Sequence, residues 1–364
     1  MALVKTNYGL IYNDDGSLCV TLRKDDVPFP GVTSFAVEEG TTNLVASSGN
    51  TPYTNGGIAV PQGIPAVYTG YQKATGDWAD LFNISNLSLS LDNDESFTVS
   101  AYIYPLKPVN AFNLNANFSG VGGIGFGQRF NLPANKWSRV IWTCTNSTGS
   151  TVTLTHFRIE TNMASNWTNN EPEAYIANVQ LEKKPFATSF TEGTRPGGKL
   201  IFPISCDINN IVVGGWFKAD FIPPSNAAHN GILKLYNNTV SLWVIDYYDT
   251  NGIFIRQHNS TTGNWRHTHI GRHASLGWWF LVLLIHDNII ELYHAAHSDN
   301  LDLRKFSTAL DSYMQNQTIT ALQIYPPLYS PYDTVASGLV SNLFVATYDP
   351  ATWTDEYIRT IYQA

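Results

Sequence analysis

The sequence predicts an all-β protein of two tandem antiparallel β-sandwich domains, with a short N-terminal arm and one short C-terminal helix. Three observations predict it. Charged residues make up only 14% of the 364, while Phe, Trp and Tyr reach 13%, a mixture suited to half-buried pleated surfaces. Apolar residues recur with period two over short runs bounded by Gly, Asn and Pro, as strands require. The polar stretch Thr191–Gly198 has no periodicity and divides the chain into two parts, each long enough for its own core.

The elements follow in order. Residues 1–39 hold two apolar stretches around Asn13-Asp14-Asp15-Gly16, a hairpin signal. This arm is too small to bury a core of its own, so it is expected to pack on the next module or on another subunit. Residues 40–192 form the first sandwich. In Ser96–Tyr104, Phe97, Val99, Ala101 and Ile103 share one face, which marks a half-buried strand. In Thr151–Glu160 the apolar parity changes between Leu154 and Phe157, which predicts a bulge.

Residues 193–198 are the linker and 199–364 the second sandwich. There Asn237-Asn238 and His286-Asp287-Asn288 each separate two apolar runs, predicting hairpins. Trp278–Ile285 is continuously apolar but far short of the ~20 residues of a membrane span, so it is a buried strand. Thr354 caps a helix over Asp355–Tyr362, with an apolar stripe of Tyr357, Ile358, Ile361 and Tyr362.

Charge and cysteine usage narrow the function. The net charge is −8, with 21 Lys plus Arg in no cluster, which gives no footprint for nucleic acid. Cys19, Cys144 and Cys206 are odd in number and lack metal spacing, so neither a disulfide framework nor a zinc site is indicated. MALVKTNYGLIYNDDGS lacks an apolar core and cleavage site, so no secretory signal is expected and synthesis in a reducing cytoplasm follows.

The run AYIANVQLEKKPFATSF, ending at Phe190, resembles the closing strand of family 4/9-type carbohydrate-binding modules that recur in phage virion proteins. AVEEGTTNLV at Ala36–Val45 resembles the opening of the same module, and Glu95–Tyr104 and NKWSRVIWTCT look like two of its inner strands. The second half, with IVVGGWFKADF, GWWFLVLLIHDNIIELYHA and GLVSNLFVATYDPATWTDEYIRTIY, resembles the concanavalin A-like, laminin-G-like jelly roll. The pairing behind a short arm is similar to minor tail or tail-tip proteins of phages.

These resemblances imply two jelly rolls in a virion protein made in the host cytoplasm. Its expected partners are a bacterial surface glycan, other tail proteins and copies of itself, with no membrane insertion. The competing readings are a purely structural virion or baseplate protein, and a cell-wall polysaccharide depolymerase.

Sugar recognition needs aromatic faces flanked by polar side chains. Tyr68, Tyr71, Trp78 and Trp167 lie in Gly/Asn/Thr-rich, poorly periodic segments, and Tyr325, Tyr329 and Tyr332 crowd a Pro-rich loop; the plainer reading of each is loop anchoring. Trp265, His267 and His269 share one parity of a strand. His267-x-His269 has a spacing metals use, although no Asp, Glu or Cys completes a ligand set. By analogy with the resembled families, Glu38, Glu39 and Asn178 are candidate ligands of a structural calcium ion, with solvated turns as the plainer reading.

Asp92-Asn93-Asp94-Glu95 lacks the glycine and final glutamate spacing of an EF-hand and reads as a turn. No alternating acid pair of the sandwich glycanases, no Gly-x-Ser-x-Gly elbow and no zinc-protease motif occurs. No catalysis is therefore expected.

Overall fold

The structure, a computed structural model, describes residues 4–5, 10–12, 17–23, 26–38, 40–45, 53–59, 65–69, 78–106, 111–119, 125–162, 174–191, 193–195, 197–219, 229–247, 252–272, 277–296, 303–326 and 338–363. The protein is all-β: its sheets pair antiparallel, and among the described residues the helix is Asp355–Gln363. The chain divides into a middle unit, Gly40–Arg195, and a terminal unit that joins Leu10–Glu39 to Pro196–Ala364.

In the terminal unit a nine-stranded sheet faces a six-stranded one. Val213, Phe217, Leu281, Leu283 and Ile285 of the first meet Leu233, Leu235, Leu242, Val244 and Ile255 of the second in one core. Each such side chain contributes about 1.5–3 kcal/mol on burial. The other face of the nine-stranded sheet is covered too, because Val212, Trp216, Phe280, Val282 and Leu284 pack with Ile358, Ile361 and Tyr362 of the helix. Two covered faces explain why Trp279–His286 carries an unbroken apolar run. It turns into Ile289–Ala296 through Asp287 and Asn288, both with positive φ, the geometry of a tight primed turn.

The arm is not separate. Leu18–Arg23 pairs with Leu10–Tyr12 and with Ser34–Val37. Ser34–Val37 in turn pairs with Gly338–Ala346, setting Ala36 opposite Leu339. Leu10–Tyr12, Leu18–Arg23 and Ser34–Val37 thus extend the nine-stranded sheet, and Leu18, Cys19, Val20 and Val37 are buried. Their small apolar surface is buried by a strand some three hundred residues away, a pairing that local pattern cannot disclose.

The helix begins where the capping residue predicts, with the Tyr357 backbone N–H donating to Thr354 Oγ1 at 3.2 Å. Ile358 is buried, but Tyr357 stays exposed against Trp353. Tyr293 donates its hydroxyl to Asp355 Oδ1, and Lys305 Nζ reaches the same oxygen at 3.0 Å. The Tyr293 hydrogen bond, followed by that of Lys305, holds the Asp355 carboxyl below its ordinary range. A depressed carboxylate stabilises the fold above its unfolded pKa of about 3.9, and this is lost as pH falls through the folded value. Wild type is therefore expected to lose more melting temperature than Asp355→Asn when acidified below about pH 4, near the ordinary carboxylate pKa; equal losses would contradict a clamp at this position.

In the middle unit the back sheet is built on Ser96–Pro105, Ser138–Thr145 and Ala174–Glu182, and the front sheet on Ala111–Ser119, Gly125–Phe130, Val152–Asn162 and Trp78–Ile84. Phe97, Val99, Ile103, Trp142 and Leu181 from the back meet Phe112, Leu114, Leu154, Phe157 and Ile159 from the front. The parity change expected within Val152–Asn162 is a bulge. Asn117 opposes His156 while Phe118 opposes Leu154, leaving Thr155 as the extra residue. That bulge sets both halves of the strand apolar-inward and fixes which residues face out.

The closing motif is a polar lock. Buried Glu182 accepts from Thr41 Oγ1 at 2.6 Å, Thr188 Oγ1 at 2.7 Å and Thr188 N at 3.0 Å. Asn43 Nδ2 donates to Val179 O and Thr191 O, and its Oδ1 accepts from Leu181 N. These bonds satisfy buried polar groups that would each cost about 1–3 kcal/mol unpaired, and they tie Thr41–Val45 to the chain just before Arg195.

Candidate functional site

Two outward faces, one on each unit, gather polar and aromatic side chains. On the middle unit it is the outer row of the front sheet. In Ala111–Ser119 the residues Phe112, Leu114, Ala116 and Phe118 are buried, so period two puts Asn113, Asn115 and Asn117 on the opposite side. Register sets Arg129 and Gly127 opposite Asn113 and Asn115 on one flank, and Glu160, Arg158 and His156 opposite the three asparagines on the other.

Glu160 is only 5% exposed. Its Oε2 accepts from Asn113 Nδ2 at 3.0 Å and Asn115 Nδ2 at 3.3 Å, and its Oε1 lies 3.3 Å from Arg158 Nη1. Each amide spends one N–H on this carboxylate, which leaves the other N–H and the carbonyl oxygen for a ligand. A Cβ on Gly127 would come within 3.0 Å of Asn113 Oδ1 and of Leu114 O; the glycine gives the amide row its room.

On the terminal unit the face is the outward row of the six-stranded sheet. Its strands are His229–Tyr236, Val240–Tyr247, Gly252–Asn259 and Asn264–Arg272. Lys234 Nζ lies 4.3 Å from the Trp243 ring centroid and 4.5 Å from that of Tyr236. Trp243 is buried, and its Nε1 donates to Ser241 Oγ at 2.9 Å. Arg256 and His258 each lie 3.5 Å from the Trp265 centroid. Two groups cannot share one side of a ring at that distance, so Trp265 is held between them.

His258 is held below the ordinary histidine range, chiefly by burial and then by the charges of Arg256 and Lys234. His267 is lowered by burial and by Arg256. Burial also brings Lys234 down to about 8. A histidine with a depressed folded pKa is protonated first in the unfolded chain, so stability falls as pH drops below about 6.5. Lys234 acts likewise at alkaline pH: the unfolded chain keeps its proton to about 10.4, so stability rises as pH climbs above the folded value. The melting temperature is expected to be lower near pH 5.5 than near pH 7.5, on the two sides of the ordinary histidine pKa of ~6.5, and the His258→Gln/His267→Gln double variant should flatten that slope. An unchanged slope would show that these rings are not the titrating groups.

The sequence-derived positions fare differently. Tyr325 is a correction: it is 2% exposed, and its hydroxyl lies within donating distance of two carbonyls, Lys218 O at 2.9 Å and Leu339 O at 3.0 Å, to which its one proton can be given. It is a core residue, since its ring packs in the cluster between the two sheets despite the Pro-rich composition of the neighbouring chain. Trp265 is exposed, but with both faces covered it offers a sugar only its edge. His267 and His269 do share one face, opposite Arg256 and Phe254.

Tyr68 is placed by its backbone between Tyr53 and Tyr175 in the back sheet. Trp78 lies opposite Asn162, in line with Glu160 and Arg158 at the end of the amide row. Tyr71, Trp167, Tyr329, Tyr332 and Glu39 lie outside the described residues. Glu38 is buried in the terminal unit, 3.9 Å from Arg23 Nη1. Asn178 is buried in the middle unit with φ 54°, beside a register shift of the back sheet. Burial and the Arg23 contact correct the reading of Glu38 as a solvated turn residue. Among the described residues no three His, Cys, Asp or Glu side chains cluster as a metal would need, and no helix is long and apolar enough to cross a membrane.

Sequence reasoning missed the amide row. Its signal is present, since Asn113, Asn115 and Asn117 alternate with apolar residues. Glu160 could not have been joined to them without the register.

No known protein family matches the sequence, and neither does any curated protein. Similar solved structures include the binding domain of botulinum neurotoxin serotype D, at 12% identity over 45% of this chain and TM-score 0.35. The chain spans 40% of that domain's length. A tandem of carbohydrate-binding modules, CBM22-1 and CBM22-2, from Paenibacillus barcinonensis Xyn10C matches at 10% identity, over 86% of this chain and 98% of that one, with TM-score 0.26. The tripod of the bacteriophage Tuc2009 baseplate matches at 10% identity, over 80% and 97%, with TM-score 0.24. Likenesses of this strength carry no argument about function, which rests on the site.

Proposed function

We propose that this is a non-catalytic recognition protein of a phage tail whose middle unit binds a bacterial surface glycan along the Asn113–Asn115 row, with Trp78 at its end. The observation that carries the reading is Glu160. A buried carboxylate that takes one N–H from each of two amides fixes those amides before any ligand arrives, and preorganised polar groups recognise sugar hydroxyls with little entropy lost. Three donors engage Glu160, which suits it to holding the row rather than to giving or taking protons. The tail setting is supported by the resemblance of Tyr175–Phe190 to the closing strand of phage carbohydrate-binding modules. Several copies on one tail would turn weak single sites into avidity.

The test is retention of the intact protein by extracted cell-wall polysaccharide. Asn115→Ala is expected to weaken it about tenfold, the loss of roughly one hydrogen bond of ~1.4 kcal/mol. Retention unchanged in Asn115→Ala would sink the assignment of this face. Release of reducing ends would favour the depolymerase reading.

A further inference from the structure

The back sheet of the middle unit carries an aromatic row that the amide site does not use. Register sets Tyr104 opposite Tyr175, Tyr175 opposite Tyr68, and Tyr68 opposite Tyr53. Trp137 continues the row on the other flank of Tyr104, one residue before Ser138, which opposes Ile103. Its ring meets that of Tyr104 edge-on at 5.5 Å, and the Tyr175 ring lies 6.0 Å from Tyr104. We infer that this row is a second glycan-binding site, taking an uncharged linear polysaccharide laid across the strands with its C–H faces on the rings of Tyr104, Trp137 and Tyr175.

Three features argue for it. First, the row lies where the protein's own cover stops. Phe97, Val99, Ala101 and Ile103 face the core, so Thr98, Ser100, Tyr102 and Tyr104 face out. The chain that follows the closing strand covers the first three. Thr98 Oγ1 donates to Lys184 O at 2.8 Å, Arg139 opposite Tyr102 donates to Thr188 O at 2.7 Å, and Phe190 packs on Tyr102. Those three are buried, whereas Tyr104, Trp137 and Tyr175 are half-buried. Second, the row holds no charge and no aliphatic side chain. A tyrosine or tryptophan joins a ring face of negative potential to a polar handle, which matches a sugar, whose C–H bonds carry slight positive charge and whose rim carries hydroxyls. Third, the row repeats with the strands, ~4.8 Å apart, so its five positions span about 19 Å, in steps comparable to one sugar unit. Rings that already lean on one another lose little side-chain freedom when a polymer settles on them. The row is on the sheet opposite to the amides and stands whether or not Asn113 and Asn115 bind glycan.

The test measures binding of the intact protein to the neutral fraction of extracted bacterial wall polysaccharide and to a linear β-glucan, at about 0.05 M and about 0.5 M salt, on either side of 0.1 M, where the screening length is ~10 Å. Saturable binding of at least one polymer is expected, changed by less than about twofold between the two salts because no charge takes part. Tyr104→Leu and Trp137→Leu are each expected to weaken it about tenfold or more. Leucine keeps apolar packing and removes the ring face, and Trp137 ends the row, so Trp137→Leu keeps the fold even if Tyr104→Leu does not. Tyr104→Phe, which keeps the ring, is expected to bind within about threefold of wild type. Binding of neither polymer, wild-type binding by both leucine variants, or a tenfold loss at high salt overturns the inference. Weakening in Asn115→Ala alone would confine glycan to the amide row and overturn it as well, whereas weakening in the leucine variants alone would uphold it and remove the amide row. Leucine variants that bind glycan as wild type but sediment as smaller species would make the row an interface between copies, which also overturns it.

Discussion

Glu160→Gln is expected to lower glycan affinity at least tenfold and to destabilise the middle unit by about 2–4 kcal/mol, because hydrogen bonds to a charged group contribute about 1.5–3 kcal/mol each. The glutamine fills the same space, so no cavity forms. It accepts through one oxygen, however: kept on Asn113 and Asn115 it turns its NH2 toward Arg158 Nη1, and kept on Arg158 it turns its NH2 toward both amides, and either way the charge that held the donors is gone. The amides then lose their fixed orientation. Affinity drops through lost preorganisation, not through lost contact area. The checks are a binding isotherm at a temperature where both proteins are folded, and a denaturant midpoint. Wild-type affinity with a lowered midpoint would mean that Glu160 holds the sheet but not a binding row.

Tyr325→Ala should cost the terminal unit about 3–5 kcal/mol, the range for truncating a buried aromatic. The ring is packed against Gly338, where an added Cβ would sit 2.3 Å from Tyr325 Cζ and 2.5 Å from Lys218 O. Its hydroxyl sits between the backbone carbonyls of Lys218 and Leu339 and gives its one proton there, and its φ of 47° is a conformation most residues avoid. Gly338→Ala should destabilise for the complementary reason, by overpacking the same spot by about 1–3 kcal/mol. Urea midpoints of the two variants measure both. A tyrosine that served only a ligand would leave the midpoint of Tyr325→Ala unmoved and weaken binding instead.

These residues show what the sequence discloses. Alternation is a local property, so Ser96–Pro105, the bulge at Thr155, the Asp287-Asn288 turn and the Thr354 cap were all legible from neighbouring residues. Long-range pairing is not local. Ala36 opposite Leu339 turned an expected arm into part of a sheet. Asn113 opposite Glu160 joins two strands distant in sequence into a bonded row. Tyr325 shows the converse: a Pro-rich neighbourhood predicts an exposed loop, whereas Gly338 opens a space that only the fold reveals. Trp265 shares its face with His267 and His269 as the alternation reads, while His258 and Arg256 cover its ring, and side-chain stacking leaves no periodic trace.

The central claim is that the middle unit recognises a cell-surface sugar through its amide row. The most direct test is the saturation isotherm of the intact protein on purified bacterial wall polysaccharide, run beside Asn113→Ala and Asn115→Ala. The expected result is saturable binding by wild type that both substitutions weaken about tenfold or more, a loss of at least ~1.4 kcal/mol each. Absence of saturable binding by wild type, even when multimerised, would contradict the account and leave a structural part of the virion as the better reading.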